Sequence, residues 1–494
     1  MSFPRVLDIT KAMFERQQVH EAVFVGLPCA WVPLADDVLS LEYDDAAMRE
    51  LFVNQLNSSL PYDIAYALYS GRFGMAATVQ AKGRLSCKVA EMLRRMRREA
   101  GRGLAVDDGE HGAGGGGGGG DGGDGELELI LIDRSVDMVT PMCTQLTYEG
   151  LLDEVFGMCY GQIKVADVKV SGLTDDDPVF KATRNTMLPG ARAWVNAGLR
   201  EIQQFRDQQM AGADVSALRG FVSSLRDNFS RMSQHASLLE KLGSRMASPT
   251  FAARQRLEAS MLEDGDVSPL HDVIYRKDGD LTSVLRLMCL QCAVGGGIPK
   301  REFDVLRKEV LNTYGFQHIE VFERLQEAGV LYEKEDRTKR SAFAESKAKL
   351  KLLVDDASRI DAQDPEDMHF AYAGYAPWSC RLVEDALFGA GWQTRLDGSV
   401  PTIRVRQAVA EDGSARDTVI TDKVIATEKG EGDGGVDGGG ERARTRSVMV
   451  MFIGGVTAAE ISALRWMATR RGACRLLVGC TGVVNGSRLL KSLM

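Results

Sequence analysis

No apolar run in this 494-residue chain reaches the roughly 18 residues that a bilayer-spanning helix needs. The opening, Met1-Ser2-Phe3-Pro4-Arg5-Val6-Leu7-Asp8, has no h-region, which speaks against a secretory signal. Cysteines number nine, an odd count without framework spacing. That excludes a disulfide-stapled scaffold and leads us to expect a reducing cytosolic compartment. Histidine is scarcer: the six stand apart at 20, 111, 235, 271, 318 and 369, none in a His-Glu-x-x-His or comparable frame. Positive charge is short as well, with a net −9, which argues against a nucleic-acid carrier or a membrane-surface patch. Two glycine islands, 107–125 and 428–440, lack Gly-Lys-Ser/Thr, and Asp121 and Asp124 in the first would repel a phosphate. Both are expected to be mobile loops.

What the chain does have is the apolar and charged content of a globular protein, and length for two or three well-buried domains. Leu129-Ile130-Leu131-Ile132 suits a strand covered on both faces. Asp133 follows, where short side-chain oxygens satisfy turn N–H groups; Pro141 closes the loop, and Thr147, Glu149 and Gly150 can open a helix. Val448–Ile453, a Gly454-Gly455 turn, an apolar-faced helix over 458–469 (Ile461, Leu464, Trp466, Met467) and a strand over Arg475–Cys480 make a βαβ unit, hence a parallel sheet. The turn lacks Gly-x-Gly-x-x-Gly, so close packing explains its glycines better than a dinucleotide does. A further strand signal lies at Ala30–Leu34, while residues 156–367 read as mostly helical. The expected fold class is therefore α/β: a discontinuous parallel-sheet domain from residues 25–155 and 368–494, with a mainly helical domain inserted at 156–367. Residues 1–24 are expected to be an N-terminal helical remnant.

Inside the insertion, Val215, Leu218, Val222, Leu225, Phe229, Met232, Ala236 and Leu239 form a heptad-like seam. A preceding helix, begun after Pro189, puts Ala191, Trp194, Val195, Leu199, Ile202 and Phe205 on one face. Gly212 and Asp214 between them predict an antiparallel hairpin over about 187–242, with Arg192, Asn196, Arg200 and Gln203 outward, a platform for a partner helix. In Tyr372-Ala373-Gly374-Tyr375-Ala376-Pro377-Trp378, three aromatics flank a turn, either as interface anchors or as cover for the seam between domains. Residues 281–331 have a winged-helix outline, but nine basic and nine acidic residues over 298–340 leave no footprint for DNA. Residues 82–102, with Arg94, Arg95, Arg97 and Arg98, read as an amphipathic helix with a solvated basic face. Cys289-x-x-Cys292 sits in an apolar helical run without a second ligand pair and reads as two buried thiols. Asp133 and Asp137 could hold a metal or share a proton, yet their place in a turn favours capping. No cofactor or metal is expected.

The loop Asp133-Arg134-x-x-Asp137-x-x-Thr140-Pro141 with Thr147-Tyr148-x-Gly150, and the segment Phe452 to Glu460, resemble motifs of the Sec-one/Munc-eighteen (SM) family of SNARE-regulating proteins. Leu285–Gln291, Lys308–Gly315, Leu325–Leu331 and Tyr372–Ser379 are similar to its vacuolar protein sorting subunit thirty-three branch. The resemblance implies a non-enzymatic protein of vesicle docking and membrane fusion, the SNARE-templating subunit of a HOPS or CORVET tethering complex. Such a protein is cytoplasmic and peripherally recruited to late endosome, lysosome or vacuole. Implied partners are syntaxin-type and R-type SNARE helices and the sister tethering subunit sixteen, with no nucleic acid and no membrane insertion. The hairpin face Arg192, Asn196, Arg200 and Gln203 becomes the expected SNARE contact, and Tyr372, Tyr375, Pro377 and Trp378 the expected dock for the sister subunit. The family's N-terminal α/β domain, which would precede Met1, has no counterpart, so the SNARE cleft is expected to lack one wall. The alternative is a nucleotide- or metal-dependent α/β enzyme on the same sheet.

Overall fold

The computed structural model describes residues 30–494 except 107–126, 166–171, 210–214, 393–400, 410–414 and 422–445 and the short stretches 55–57, 72, 164, 266–267, 278, 335–339, 357–359, 390–391 and 473. Both glycine islands and the 1–24 segment lie outside the described residues. Among the described residues, eight strands form one sheet: β1 (Val32–Ala35), β2 (Val38–Ser40), β3 (Thr78–Lys82), β4 (Leu127–Asp133), β5 (Thr402–Val409), β6 (Ala415–Thr421), β7 (Arg446–Ile453) and β8 (Cys474–Cys480). Their order is β1-β2-β8-β7-β4-β3-β5-β6. The middle five run parallel, and an antiparallel hairpin completes each side.

The apolar runs explain the centre. β4 and β7 pair in register from Leu127↔Ser447 to Asp133↔Ile453, and Leu129–Ile132 and Val448–Ile453 are buried on both faces, as parallel strands under helices must be. β3 is equally buried although it reads Thr-Val-Gln-Ala-Lys. Its polar side chains find partners there: Gln80 Nε2 donates to Glu128 Oε1 (3.2 Å) and Lys82 Nζ to Thr402 Oγ1 (3.1 Å). Without those bonds the burial of each would cost a few kcal/mol.

From β7 the chain crosses through helix Ala458–Arg471 to β8. A reciprocal capping box starts that helix: Glu460 N donates to Thr457 Oγ1 and Thr457 N to Glu460 Oε2, while left-handed Gly472 ends it. In the turn before it, Gly454 and Gly455 have φ of +99° and +100°. A Cβ at 454 would lie 2.7 Å from Arg134 Cβ, so this loop closes only with glycine.

Among the described residues, 156–367 carry helices and isolated bridges but no strand. Helix Leu281–Gly295 is buried at every position from Val284 to Cys292. Fully buried Arg286 staples it to the chain after β4 by donating to the carbonyls of Met142 (2.8 Å) and Cys143 (2.5 Å) and to Glu154 (2.7 Å). One hydrophobic core thus runs from the sheet into the helices of 257–352. A second, smaller core gathers Leu146–Leu152, Val179, Phe180 and the base of a long hairpin, helices Leu188–Gln209 and Val215–Met246.

Candidate partner-binding surfaces

The loop after β4 is a buried polar node. Asp133 accepts from Leu85 N and Ser135 N (both 3.0 Å). Burial pushes its carboxyl up, against the pull of those donors. Asp137 accepts from Thr140 N (3.0 Å), Thr140 Oγ1 (2.5 Å) and Ser379 N (2.8 Å). Both aspartates thus spend their oxygens on turn and helix N–H groups. Between them Arg134, sealed from water, meets Glu460 at 2.9 Å and Asp137 at 3.2 Å. Burial alone would lower its pKa, but the two carboxylates outweigh that and hold it above its usual value. Among the described residues no three His, Cys, Asp or Glu side chains converge as metal ligands. Cys289 and Cys292 are buried, and burial pushes the Cys292 thiol up to about 12.

The same node corrects one expectation. Tyr372, Tyr375, Pro377 and Trp378 are all buried. Tyr375, 1 % exposed, donates from Oη to Thr140 Oγ1 (2.9 Å) and accepts from Trp378 N (3.2 Å). Tyr372 Oη bonds Thr457 Oγ1 at 2.8 Å, and Phe343 lies edge-on to Trp378. The two tyrosine hydroxyls have buried partners and the Trp378 ring packs on Phe343, so these side chains fill an internal seam and are not exposed as anchors.

The hairpin keeps its four outward residues: Arg192, Asn196, Arg200 and Gln203 are exposed. Arg192 is nonetheless not free, since Nη2 donates to the Leu239 carbonyl (2.9 Å) across Gly243, where a Cβ would collide with the guanidinium. At the base Ala191, Val195, Leu238, Leu239 and Leu242 are buried, as is Leu188. Trp194 and Phe229, placed inward by the heptad reading, are exposed instead. Trp194 sits about 100° around the helix from Val195, outside the stripe that the second helix covers. Seam positions Phe205, Val215, Leu218, Val222 and Leu225, and Gly212 and Asp214 of the connection, lie outside the residues whose side chains are described.

Two features escaped the sequence reading. His235, fully buried at the hairpin base, bonds Tyr148 Oη through Nδ1 (2.8 Å) and Asp177 Oδ2 through Nε2 (3.0 Å), and stacks on Phe180. The other is an exposed apolar corner. Helix Ser268–Arg276 ends beside helix Lys300–Tyr314, held by Tyr314 Oη on the Gly279 carbonyl (3.0 Å) and Lys277 over the Tyr314 ring. There Tyr275 is 90 % and Phe316 67 % exposed, with Ile319 exposed one turn on. Large apolar groups left in water are the detectable signal, and only a structure reports it.

A model of the Sec1 family matches residues 6–492. A vacuolar protein-sorting-associated protein 33 homolog of Arabidopsis thaliana is 32% identical, over 99% of this chain and 80% of its own. Vacuolar protein sorting-associated protein 33A of Rattus norvegicus is 26% identical over 94% of this chain and 75% of its own. Among solved structures, the SM protein Vps45 in complex with the Qa SNARE Tlg2 covers 98% of this chain and 79% of its own, at 15% identity and a TM-score of 0.61. The Unc18–syntaxin 1 complex of Monosiga brevicollis covers 98% and 80%, at 13% identity and a TM-score of 0.60. Identities that low show a shared fold and nothing finer. The family is not enzymatic, which removes the α/β enzyme alternative. Since one family model takes in the sheet, the Asp133–Pro141 loop and the hairpin together, this chain belongs to the Sec1 family, in its vacuolar protein sorting 33 branch.

Proposed function

We propose that this chain binds syntaxin-type and R-type SNARE helices along the outer face of its hairpin and holds them for assembly, as the SNARE-templating subunit of a HOPS or CORVET tethering complex at late endosome, lysosome or vacuole. One observation carries the reading: Arg192, Asn196, Arg200 and Gln203, spaced three or four apart and all exposed, form a polar rail along helix Leu188–Gln209. Bundled helices bury apolar layers in their seam and present polar, charged flanks. A template must grip those flanks and leave the apolar layers free to zip. Guanidinium and amide groups suit that, each making several directed bonds that can release. In this reading residues 25–155 and 368–494 are the platform and 156–367 the inserted gripping part.

With Tyr372, Tyr375, Pro377 and Trp378 buried, the sister subunit sixteen is assigned to the exposed corner of Tyr275, Phe316 and Ile319. Aromatic side chains in water are the usual anchors of such contacts. The test of the main proposal is SNARE-dependent liposome fusion with Arg200→Glu and Gln203→Glu combined. Slower fusion at an unchanged melting temperature supports the rail; fusion at the parent rate overturns it.

A further inference from the structure

The basic helix Arg84–Val106 is unused by the hairpin reading. From 84 to 99 it carries six basic residues against two acidic ones, in a chain of net −9. Its apolar stripe, Leu85, Val89 and Leu93, is sunk in the core, while Arg84, Arg95 and Arg98 are exposed. Beside it packs helix Leu60–Ser70, from which Tyr62 (53 % exposed) and Tyr66 (56 %) project, rings stacked with centroids 6.4 Å apart and 13° between planes. Arg95 is exposed on the neighbouring basic helix. Arg98, exposed, follows one turn on. Arg97 reaches back to the Gly74 and Ala76 carbonyls and so holds up the short turn that presents exposed Met75.

We propose that Tyr62, Tyr66 and Met75 with Arg95 and Arg98 form a second protein-docking face, whose partner is an acidic amphipathic helix of another polypeptide. Tyrosines and arginines are the composition of interface hot spots. The 6.4 Å ring spacing is only slightly wider than the roughly 5–6 Å between residues three or four apart on a helix, so one apolar ridge of a helix can seat along the pair. Carboxylates flanking that ridge meet Arg95 and Arg98. The exposed Arg95–Glu99 pair (2.8 Å) competes only weakly, as solvent-exposed pairs do. A bilayer is the poorer occupant: the stripe that would have to insert is already buried in the core. Nucleic acid is poorer too, because the charge is confined to one helix side of an acidic protein.

The test is fluorescence anisotropy of the full chain with a labelled amphipathic helix built of Glu, Leu and Ala. A copy with Lys for Glu, phosphatidylserine vesicles and single-stranded RNA serve as rivals. The acidic helix is expected to bind, with affinity falling as salt rises. Arg95→Glu with Arg98→Glu, and separately Tyr62→Ala with Tyr66→Ala, should each weaken it about tenfold. The melting temperature should hold, and the hairpin double variant should bind like the parent. Absence of binding by the acidic helix overturns the proposal, as does equal binding by the face variants or by the Lys copy. Binding of vesicles or RNA that the face variants abolish, in place of the acidic helix, overturns it as well.

Discussion

A guanidinium closed off from water, as at Arg134, is tolerable only while its carboxylates stay with it. Removing one partner of such a pair strands a buried charge and costs about 3–5 kcal/mol. Glu460→Ala should therefore lower unfolding stability by about that much, read from the midpoint of a urea titration. A change within 1 kcal/mol of the parent would mean that Arg134 has other support. Tyr375→Asp should leave no folded protein to assay, since it places a carboxylate beside Asp137 in a buried site. Tyr375→Phe, which loses only the bonds to Thr140 and Trp378, should fold and cost about 1–2 kcal/mol. What was legible here was local. Asp133 and Thr147 announce themselves as caps because their partners lie two and three residues away. Arg134 and Glu460 are 326 residues apart, and nothing in a single sequence pairs them. The aromatics of 372–378 misled for a related reason: an anchor and a seam filler have the same composition and differ only in what covers them.

At the scale of elements, the hairpin hangs from its root. Asp177 there caps helix Pro178–Thr183 through Val179 N (2.9 Å) and Phe180 N (3.3 Å) while bonding His235. Burial alone would raise its carboxyl, but the His235 bond and the two N–H groups hold it below the usual range. A depressed folded-state pKa stabilises fully above the unfolded value of about 3.9, and that contribution is lost as pH falls through the folded value. Asp177→Asn should cost about 1–3 kcal/mol at neutral pH, a deficit that narrows below about pH 4. A pH-independent deficit in thermal melts would contradict it. Strands were readable where burial on both faces forces an unbroken apolar run, as in β4 and β7. β3, Thr-Val-Gln-Ala-Lys, escaped because its polar side chains pair inside the sheet; β5 and β6 escaped because the antiparallel strands at that end of the sheet carry mixed sequences. The hairpin's heptad pattern located both helices, but placed Trp194 and Phe229 on the wrong side, since periodicity gives a stripe and not its width.

For the whole molecule, a rigid sheet carries two cores, and the smaller one roots a hairpin whose polar rail faces solvent. Exposed pairs contribute about 0–1 kcal/mol each, so grip along such a rail should be weak, spread over several residues and sensitive to salt. The exposed corner has the opposite character. Phe316→Asp should break binding of the sister subunit, read by co-purification, without altering the melting temperature, because an exposed residue has little folding energy to lose. Unchanged co-purification would remove that corner from the assembly surface. The most direct measurement is titration calorimetry of the purified chain against an isolated syntaxin-type SNARE helix, parent beside Arg200→Glu with Gln203→Glu. The result expected is weak binding that fades with salt and drops about tenfold in the variant, the loss of roughly 1.4 kcal/mol that two rail contacts supply. Equal affinity for parent and variant, or no heat from either, would contradict the claim that this hairpin holds SNARE helices.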